Sequence, residues 1–296
     1  MARHIVVLVG IALGLLGCAE QARISLFDDV IIEDAGFAPP DAPPDEPPAE
    51  PEDAAVRPVD SGRPGKPDSS TSTGELVTSS TLALRYDFEG SGTVVEDRIG
   101  ESDAIVRGGA ALDTAGGLSL DGVDDYVDMP NGVLSSRRSV TIMAWLRWDG
   151  GPCWQRVFDF GSTDTGEGQV GRATTSLFLT PASCPSQVVM SMTEREADQQ
   201  AVAGSQGMPT DHTIQVVLVL DGDNARSSLF IDGVREATAP NAHLMADLND
   251  VNNWLGRSQW VQDNYLSARY DELRIYDGAL SDLEIAELAE RGPDRP

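Results

Sequence analysis

Carboxylates crowd the stretch RYDELRIYDGALSDLEI near the C-terminal end of this chain. A glycosidase needs two carboxylates that face one sugar across a cleft, about 5–10 Å apart. Asp271 and Glu272 are adjacent in the sequence, and adjacent side chains of a β-strand point to opposite faces. The stretch therefore does not predict an acid and base pair, and we assign no catalytic residue to this chain.

The same alternation gives Asp271 a different kind of chemistry. It places Arg269, Asp271, Leu273 and Ile275 on one side of a predicted strand. Because Leu273 and Ile275 are apolar, this side faces the core, and we expect Asp271 to point inward. A buried carboxylate needs an opposite charge, hydrogen bonds or a metal ion.

Aromatic residues in loop-like stretches are the candidates for sugar binding. Aromatic rings can stack on the apolar faces of sugars while polar side chains beside them bind hydroxyl groups. Trp154, Trp254, Trp260 and Tyr265 lie in such stretches, so we take them as candidate ligand-binding residues. Trp145 lies in the strand-like segment MAWLRW and is predicted to be a core residue.

The elements that must position these residues are short strands with turn punctuation. Alternating or apolar runs, each bounded by Gly, Asp, Asn or Pro, recur from about residue 76 onward, and this pattern predicts a sandwich or a barrel. The run LALRYDF, for example, places Leu82, Leu84, Tyr86 and Phe88 on one face. A single short helix is predicted over 281–292, after the last strand. Ser281-x-x-Glu284 forms a capping box at its start, and Gly292 is the expected C-cap.

The N-terminal segment predicts export. MARHIVVLVGIALGLLGC has a basic residue, an apolar run and a cysteine, and its end resembles the bacterial lipobox. The resemblance implies a signal peptide over 1–17, lipidation at Cys18, membrane attachment through the lipid anchor alone, and a bacterial envelope location, at the outer membrane or cell surface. The alternative is a plain signal peptide or an uncleaved anchor. Ten prolines mixed with Asp, Glu and Ala between 39 and 67 predict an extended acidic stalk over 18–75.

Charge excludes one class of partner. The chain has 21 Lys and Arg against 48 Asp and Glu, a formal net charge of −27. A field of that sign repels phosphate backbones, and the sequence has no basic stripe to reverse it, so we expect no nucleic acid partner.

The three cysteines divide between two predicted roles. With Cys18 assigned to lipidation, Cys153 and Cys184 remain as an even pair in an oxidising compartment, which predicts a disulfide. The alternative is two unpaired thiols. A zinc site is not predicted because no close spacing of Cys and His residues is present.

The ordered set of strand segments resembles the concanavalin A-like and laminin G-like jelly-roll family. The matching pieces are LRYDFEGSG, LSLDGVDDYVDMP, VTIMAWLRW, RVFDFGS, SLFLTP, SLFIDGVRE, LGRSQW and YDELRIYDGALSDLEIAEL. The resemblance implies an all-β domain over 76–292: two antiparallel sheets face to face, with the first and last strands close together and a short C-terminal helix beside them.

The resemblance also implies a metal. Many laminin G-like relatives hold calcium on the sandwich, and Asp271 with Asp87 of YDFEG is the candidate ligand pair here. The alternative is that Asp271 pairs with an arginine or with backbone N–H groups. The acidic hairpin DGVDDYVD, with Asp121, Asp124, Asp125 and Asp128, is predicted to be a solvated turn rather than a second calcium loop.

For function, the family implies binding rather than catalysis. We expect a non-catalytic, surface-anchored module that binds carbohydrate. The alternatives are a protein-binding or structural module of the cell envelope and, third, a cryptic glycan hydrolase or lyase. The expected partner is therefore a glycan or an extracellular or envelope protein.

Overall fold

A computed structural model describes residues 78–114, 116–184, 186–193 and 198–293. The predicted signal peptide (1–17), the lipidation site Cys18 and the predicted stalk (18–75) lie outside the described residues. Within the described ranges, none of the helical structure is long and apolar enough to cross a membrane.

The described chain is built from short strands and ends in one helix. The strands, in chain order, are β1 (Thr81–Tyr86), β2 (Val94–Val95), β3 (Ala104–Arg107), β4 (Leu118–Asp121), β5 (Tyr126–Met129), β6 (Val140–Trp148), β7 (Phe158–Thr163), β8 (Ala173–Thr180), β9 (Val189–Thr193), β10 (Gln200–Ala203), β11 (Ile214–Asp221), β12 (Arg226–Ile231), β13 (Val234–Pro240), β14 (Asn252–Leu255) and β15 (Ser267–Asp277), and the helix is α1 (Asp282–Arg291). A short 3₁₀ turn at Met245–Asp247 precedes β14.

The strands form two sheets. The first sheet has the order β1-β15-β6-β11-β12-β13, and β4 pairs with another part of β15. The second sheet has the order β10-β9-β8-β7-β14-β5-β3-β2. Neighbouring strands are antiparallel in both sheets. The predicted two-sheet jelly roll is confirmed, including the contact between the first and last strands.

The main core lies between the sheets, and strand alternation fills it. In β7, Phe158 and Phe160 join the core cluster while Asp159 points to the other side. In β8, Leu177 and Leu179 do the same. Burying each such side chain stabilises the fold by about 1.5–3 kcal/mol.

Register shifts in β15 and in β1 interrupt this alternation. The pairing of β15 with β6 shifts between Tyr270 and Glu272, so Asp271 is the extra residue. Tyr270 and Leu273 both lie in the core as a result. The predicted inward orientation of Asp271 is therefore wrong, because the bulge moves the apolar phase by one residue. The register of β1 also shifts, between Leu82 and Leu84, so Leu82 does not lie on the face predicted for it.

The outer face of the first sheet is covered by α1. Met143, Trp145 and Tyr276 pack with Ile285 and Leu288 of the helix in a second apolar cluster. Trp145 is therefore buried, as predicted, but beneath the helix rather than between the sheets. The predicted capping box is also confirmed: the helix begins after Ser281, with both reciprocal hydrogen bonds to Glu284, and Gly292 is its C-cap.

Glu272 is structural. It accepts two hydrogen bonds from Arg85, 2.9 Å from Nε and 3.0 Å from Nη2, and a third from Arg274 Nε. The Arg274 guanidinium lies 4.5 Å from the Trp145 ring centre. Glu272 and Arg274 are both buried, so their charges balance each other between the first sheet and its helix.

Candidate functional site

A row of side chains crosses the outer face of the second sheet. Strand register pairs Asp128 with Trp254, and Trp254 with Asp159. Asp159 is paired in turn with Phe178. Their neighbours in sequence, such as Phe158, lie in the core, so these four side chains point away from it. We call Asp128, Trp254, Asp159 and Phe178 the outer row.

The loop 256–266 runs over this row, and we call it the covering loop. A backbone hydrogen bond of 2.9 Å joins its two ends. In its middle, the Gln259 amide donates to Asp159 Oδ2 at 3.0 Å. Asp159 is 0% exposed and Trp254 is 1% exposed. The centre of the outer row is therefore sealed, and only side chains at its margins can meet a ligand.

Arg156 anchors the covering loop to the sheet. Its Nε donates to Asp159 Oδ2 at 3.2 Å and its Nη2 donates to Asp263 Oδ2 at 2.6 Å. Its guanidinium also lies 4.1 Å from the ring centre of Phe178 and 5.3 Å from that of Trp260. Because the Arg156 side chain is only 3% exposed, these contacts hold the loop in place rather than present a cation to solvent.

The two acids on Arg156 have raised pKa values. Burial raises the pKa of Asp159 to about 7, although the Arg156 charge and the hydrogen bond from Gln259 both lower it. Burial also raises the pKa of Asp263, again against Arg156. Asp159 Oδ1 is buried and has no hydrogen-bond partner among the residues that the structure describes. Burial therefore outweighs the ion pair in setting the pKa of Asp159.

Tyr126, Tyr265 and Arg257 form a partly exposed patch at one margin of the outer row. The Arg257 guanidinium lies 4.1 Å from the ring centre of Trp254 and 4.5 Å from that of Tyr126. The ring centres of Tyr126 and Tyr265 are 6.3 Å apart, with the planes tilted by 45°. We call Tyr126, Tyr265 and Arg257 the tyrosine–arginine patch.

Trp254 does not lie in a loop, and that expectation is wrong. It is part of β14, and its Nε1 donates to Asp128 Oδ1 at 3.2 Å. Pairing with β5 on one side and β7 on the other holds it in the sheet. Since its ring is almost fully buried, Trp254 packs beneath Tyr126 and Arg257, and its ring is not accessible to a sugar.

Trp260 and Trp154 lie near the other margin, around Arg156. Trp260 is partly exposed and borders a groove of about 520 Å³. The groove is also lined by the polar side chains of Asp164, Thr165, Arg172 and Gln262, together with Gly171 and Val261. Trp154 is also partly exposed, and the Arg156 guanidinium lies 5.9 Å from its ring centre. Hydroxyl, amide and charged groups beside an aromatic ring suit a polar, ring-shaped ligand.

The predicted disulfide between Cys153 and Cys184 is confirmed, with 5.7 Å between the two Cα atoms. It joins the segment before β7 to the segment after β8. The next residue, Trp154, donates its amide to the Ala182 carbonyl at 2.8 Å. The bridge therefore fixes the backbone that carries Trp154.

The predicted calcium ligands each have protein partners. Asp87 accepts hydrogen bonds from Arg98 Nε at 2.8 Å and from the Glu89 amide at 3.0 Å. Burial opposes ionisation of Asp87, but Arg98 and the amide outweigh it and lower its pKa. Asp271 accepts from the Thr213 hydroxyl at 3.1 Å and lies 3.6 Å from Arg269 Nε. These contacts fit the arginine and hydrogen-bond alternative, and calcium stays a prediction.

The acidic hairpin gathers three carboxylates. Oxygens of Asp121, Asp124 and Asp125 lie within 4.8 Å of one another. The buried Asp125 already accepts hydrogen bonds from the amides of Gly109 at 2.6 Å, Ala110 at 2.8 Å and Asp121 at 3.2 Å. Its carboxylate thus fastens the hairpin to the β3–β4 connection, which is a structural task.

Sequence reasoning missed Tyr126, Phe178, Arg156 and Arg257. Alternation in YVDM was a usable signal for Tyr126, because Val127 and Met129 are in the core and Tyr126 must then point outward. The two arginines had no such signal, since each also meets a partner far along the chain: Asp263 for Arg156 and Tyr126 for Arg257.

The antiparallel two-sheet jelly roll with its packed C-terminal helix defines a concanavalin A-like domain. A laminin G family model, described as the concanavalin A-like lectin/glucanases superfamily, matches residues 121–286. The chain belongs to this superfamily. No curated protein matches the chain.

Solved structures share the fold at low sequence identity. Domain 4 of the extracellular arabinanase AbnA from Geobacillus stearothermophilus, solved with arabinotriose, is 17% identical with a TM-score of 0.51, over 71% of this chain and 98% of that one. A structure of botulinum neurotoxin type C, whose cell entry depends on two ganglioside molecules, is 13% identical with a TM-score of 0.53, over 71% and 51%. The binding domain of botulinum neurotoxin DC with rat synaptotagmin II is 14% identical with a TM-score of 0.53, again over 71% and 51%. This chain thus spans only about half of the toxin chains.

Proposed function

We propose that this chain is a non-catalytic carbohydrate-binding module whose ligand lies on the outer face of the second sheet. The observation that carries the proposal is the placement of three partly exposed rings, Tyr126, Trp260 and Tyr265, around one sheet face with polar groups beside them. Such rings can stack on the apolar faces of sugars, while the polar groups bind hydroxyls. The arabinanase domain, solved with arabinotriose, shows a sugar ligand on a similar fold.

The distribution of apolar surface favours a glycan over a protein partner. A protein-binding surface is marked by a contiguous exposed apolar patch. In the described part of the chain, the exposed large apolar side chains are spread over separate segments: Val94, Ile99, Val123, Val234, Leu244, Val261 and Leu283. The alternative, a protein-binding or structural module of the envelope, is compatible with the fold, since a similar toxin domain is solved with synaptotagmin II.

Burial argues against a glycan hydrolase or lyase at the outer row. Asp159 and Asp263 share Arg156, and Asp159 has the raised pKa expected of a general acid. A general acid must come within hydrogen-bond reach of its substrate. Asp159 is fully buried under the covering loop, so we assign this pair to anchoring.

The test is binding of the purified protein to a broad glycan array, with calcium and with a chelator. We expect saccharide binding that Trp260→Ala or Tyr126→Ala reduces by about tenfold, the loss typical of one stacked ring. Leu283→Ala, at an exposed position on α1, is the control and should bind like the parent. Loss of binding in chelator alone would favour the calcium ligands Asp87 and Asp271. If no saccharide is bound by the folded protein, a protein partner becomes the better hypothesis.

We also propose that the module is held at the bacterial cell envelope through a lipid on Cys18. The support is the lipobox-like end of the N-terminal apolar run. Metabolic labelling with a fatty-acid analogue should label the parent and leave Cys18→Ala unlabelled. Equal labelling of both proteins would contradict the proposal.

A further inference from the structure

We infer that the saccharide bound on this face carries an acidic group, a carboxylate or a sulfate, and that Arg257 receives it. The inference rests on the proposed function, because it names the ligand class for the same sheet face. It starts from the tyrosine–arginine patch, where a cation lies against two aromatic rings, at 4.1 Å from Trp254 and 4.5 Å from Tyr126.

The hydrogen-bonding capacity of Arg257 is unused within the described residues. A guanidinium has five N–H donors. Among the described residues, Arg257 donates no hydrogen bond and has no carboxylate within ion-pair distance, and its Nε is buried without a partner. Its Nη1 and Nη2 are not among the buried unpartnered atoms, so they reach solvent. The end of the guanidinium is thus available to a ligand.

The neighbouring acid is already neutralised. Asp128 lies in the outer row next to Trp254, but its Oδ1 accepts from Trp254 Nε1 and its Oδ2 pairs with Arg107 at 3.2 Å. Arg156 likewise has partners, since it pairs with Asp159 and Asp263. Among the described residues, Arg257 is therefore a local positive charge without a counterion, on a chain whose formal net charge is −27.

The geometry suits an acidic sugar more than a free anion. The guanidinium lies 4.1 Å from the Trp254 ring centre, and a planar guanidinium can donate two parallel hydrogen bonds to one carboxylate or sulfate. The half-buried rings of Tyr126 and Tyr265 lie beside it and can contact the body of the sugar. A neutral sugar would leave the charge of Arg257 partly desolvated and without a partner, which lowers its affinity.

The experiment compares one saccharide with and without its charge. Oligogalacturonate, its methyl ester and a sulfated galactan are titrated into the purified protein by calorimetry, at about 50 and about 300 mM salt. We expect at least one of the two acidic saccharides to bind, with an affinity about tenfold or more above the methyl ester and lower at high salt. Comparing oligogalacturonate with the sulfated galactan shows whether the site prefers a carboxylate or a sulfate.

Two arginine variants separate the site from general electrostatics. Arg257→Gln should lose about tenfold or more in affinity for the acidic saccharide. Arg138→Gln removes the same charge at a side chain that is 70% exposed and paired with Asp223, and it should bind like the parent. Circular dichroism and a thermal melt confirm that both variants are folded.

The outcomes separate this inference from the proposed function. If the methyl ester binds as tightly as the acid, or if Arg257→Gln binds like the parent, the acidic-ligand inference is overturned. In that case, binding of neutral saccharides that Trp260→Ala weakens would leave the carbohydrate-binding proposal standing. If no saccharide binds at all, both are overturned.

Discussion

Asp159→Asn tests whether burial holds a protonated acid beneath the covering loop. Burial raises the pKa of Asp159 from 3.8 to about 7, despite Arg156 and the Gln259 amide. Because the folded pKa is the higher one, the folded protein keeps a proton that the unfolded chain releases. The stability from this proton is complete below the unfolded value of 3.8 and is lost as the pH rises through about 7.

The size of the effect follows from the two pKa values. One pKa unit corresponds to about 1.4 kcal/mol, so the full difference corresponds to about 4 kcal/mol. About 3 kcal/mol of this stabilisation is lost between about pH 5 and about pH 8. Asparagine does not titrate, keeps an acceptor for the Gln259 amide, and leaves Arg156 paired with Asp263. As the pH rises through this range, the free energy of unfolding of the parent should therefore fall by about 3 kcal/mol more than that of Asp159→Asn.

The assay is urea denaturation followed by tryptophan fluorescence at several pH values in that range. Asp124→Asn, at an exposed position of the acidic hairpin, is the control and should follow the parent. Glu284 does not disturb the comparison: hydrogen bonds from Ser281 and Ser79 outweigh its burial and lower its pKa to about 2, below the range. Parallel curves for the parent and Asp159→Asn would refute the reasoning, because they would mean that Asp159 is ionised in the folded protein.

Two further predictions concern stability. Replacing Cys153 and Cys184 together by alanine opens a loop with a sequence separation of 31, and the chain-entropy relation predicts a loss of about 4 kcal/mol, measured by urea denaturation. A reducing agent should destabilise the parent and leave the double variant unchanged. Glu272→Ala leaves the buried Arg274 without its counterion and should lower the free energy of unfolding by about 3–5 kcal/mol. Glu287→Ala is the control: it breaks a half-exposed ion pair on the helix and should lower the free energy of unfolding by less than about 1 kcal/mol. Equal losses in these two glutamate variants would contradict the burial argument.

The fold could be predicted from the sequence because its signals are local and repeated. Apolar alternation gave the strands, and the Ser281–Glu284 box marked the helix start. The bulge at Asp271 was not predictable in this way, since it is defined by the pairing of β15 with β6 rather than by its own residues. One extra residue reversed the predicted direction of Asp271 and removed the argument for an inward-pointing calcium ligand.

The candidate site was less predictable because long-range pairing decides which residues are strands. NNWL looked like a loop, since asparagine is rare in strands and glycine follows it. Pairing on both sides nevertheless makes it a central strand and buries Trp254. Trp260 and Tyr265, a few residues later, are in the covering loop and remain partly exposed. Local composition could not separate a buried ring such as Trp254 from a partly exposed ring such as Trp260.

Partners, rather than sequence position, separate the two arginines of this face. Each guanidinium lies 4.1 Å from an aromatic ring centre of the outer row, Arg156 on Phe178 and Arg257 on Trp254. Arg156 is buried and donates to two carboxylates, so its charge is balanced inside the protein. Arg257 has no carboxylate partner among the described residues and reaches solvent. Because the two ring distances are equal, the lack of a counterion among the described residues is our reason for proposing Arg257, and not Arg156, as the binding arginine.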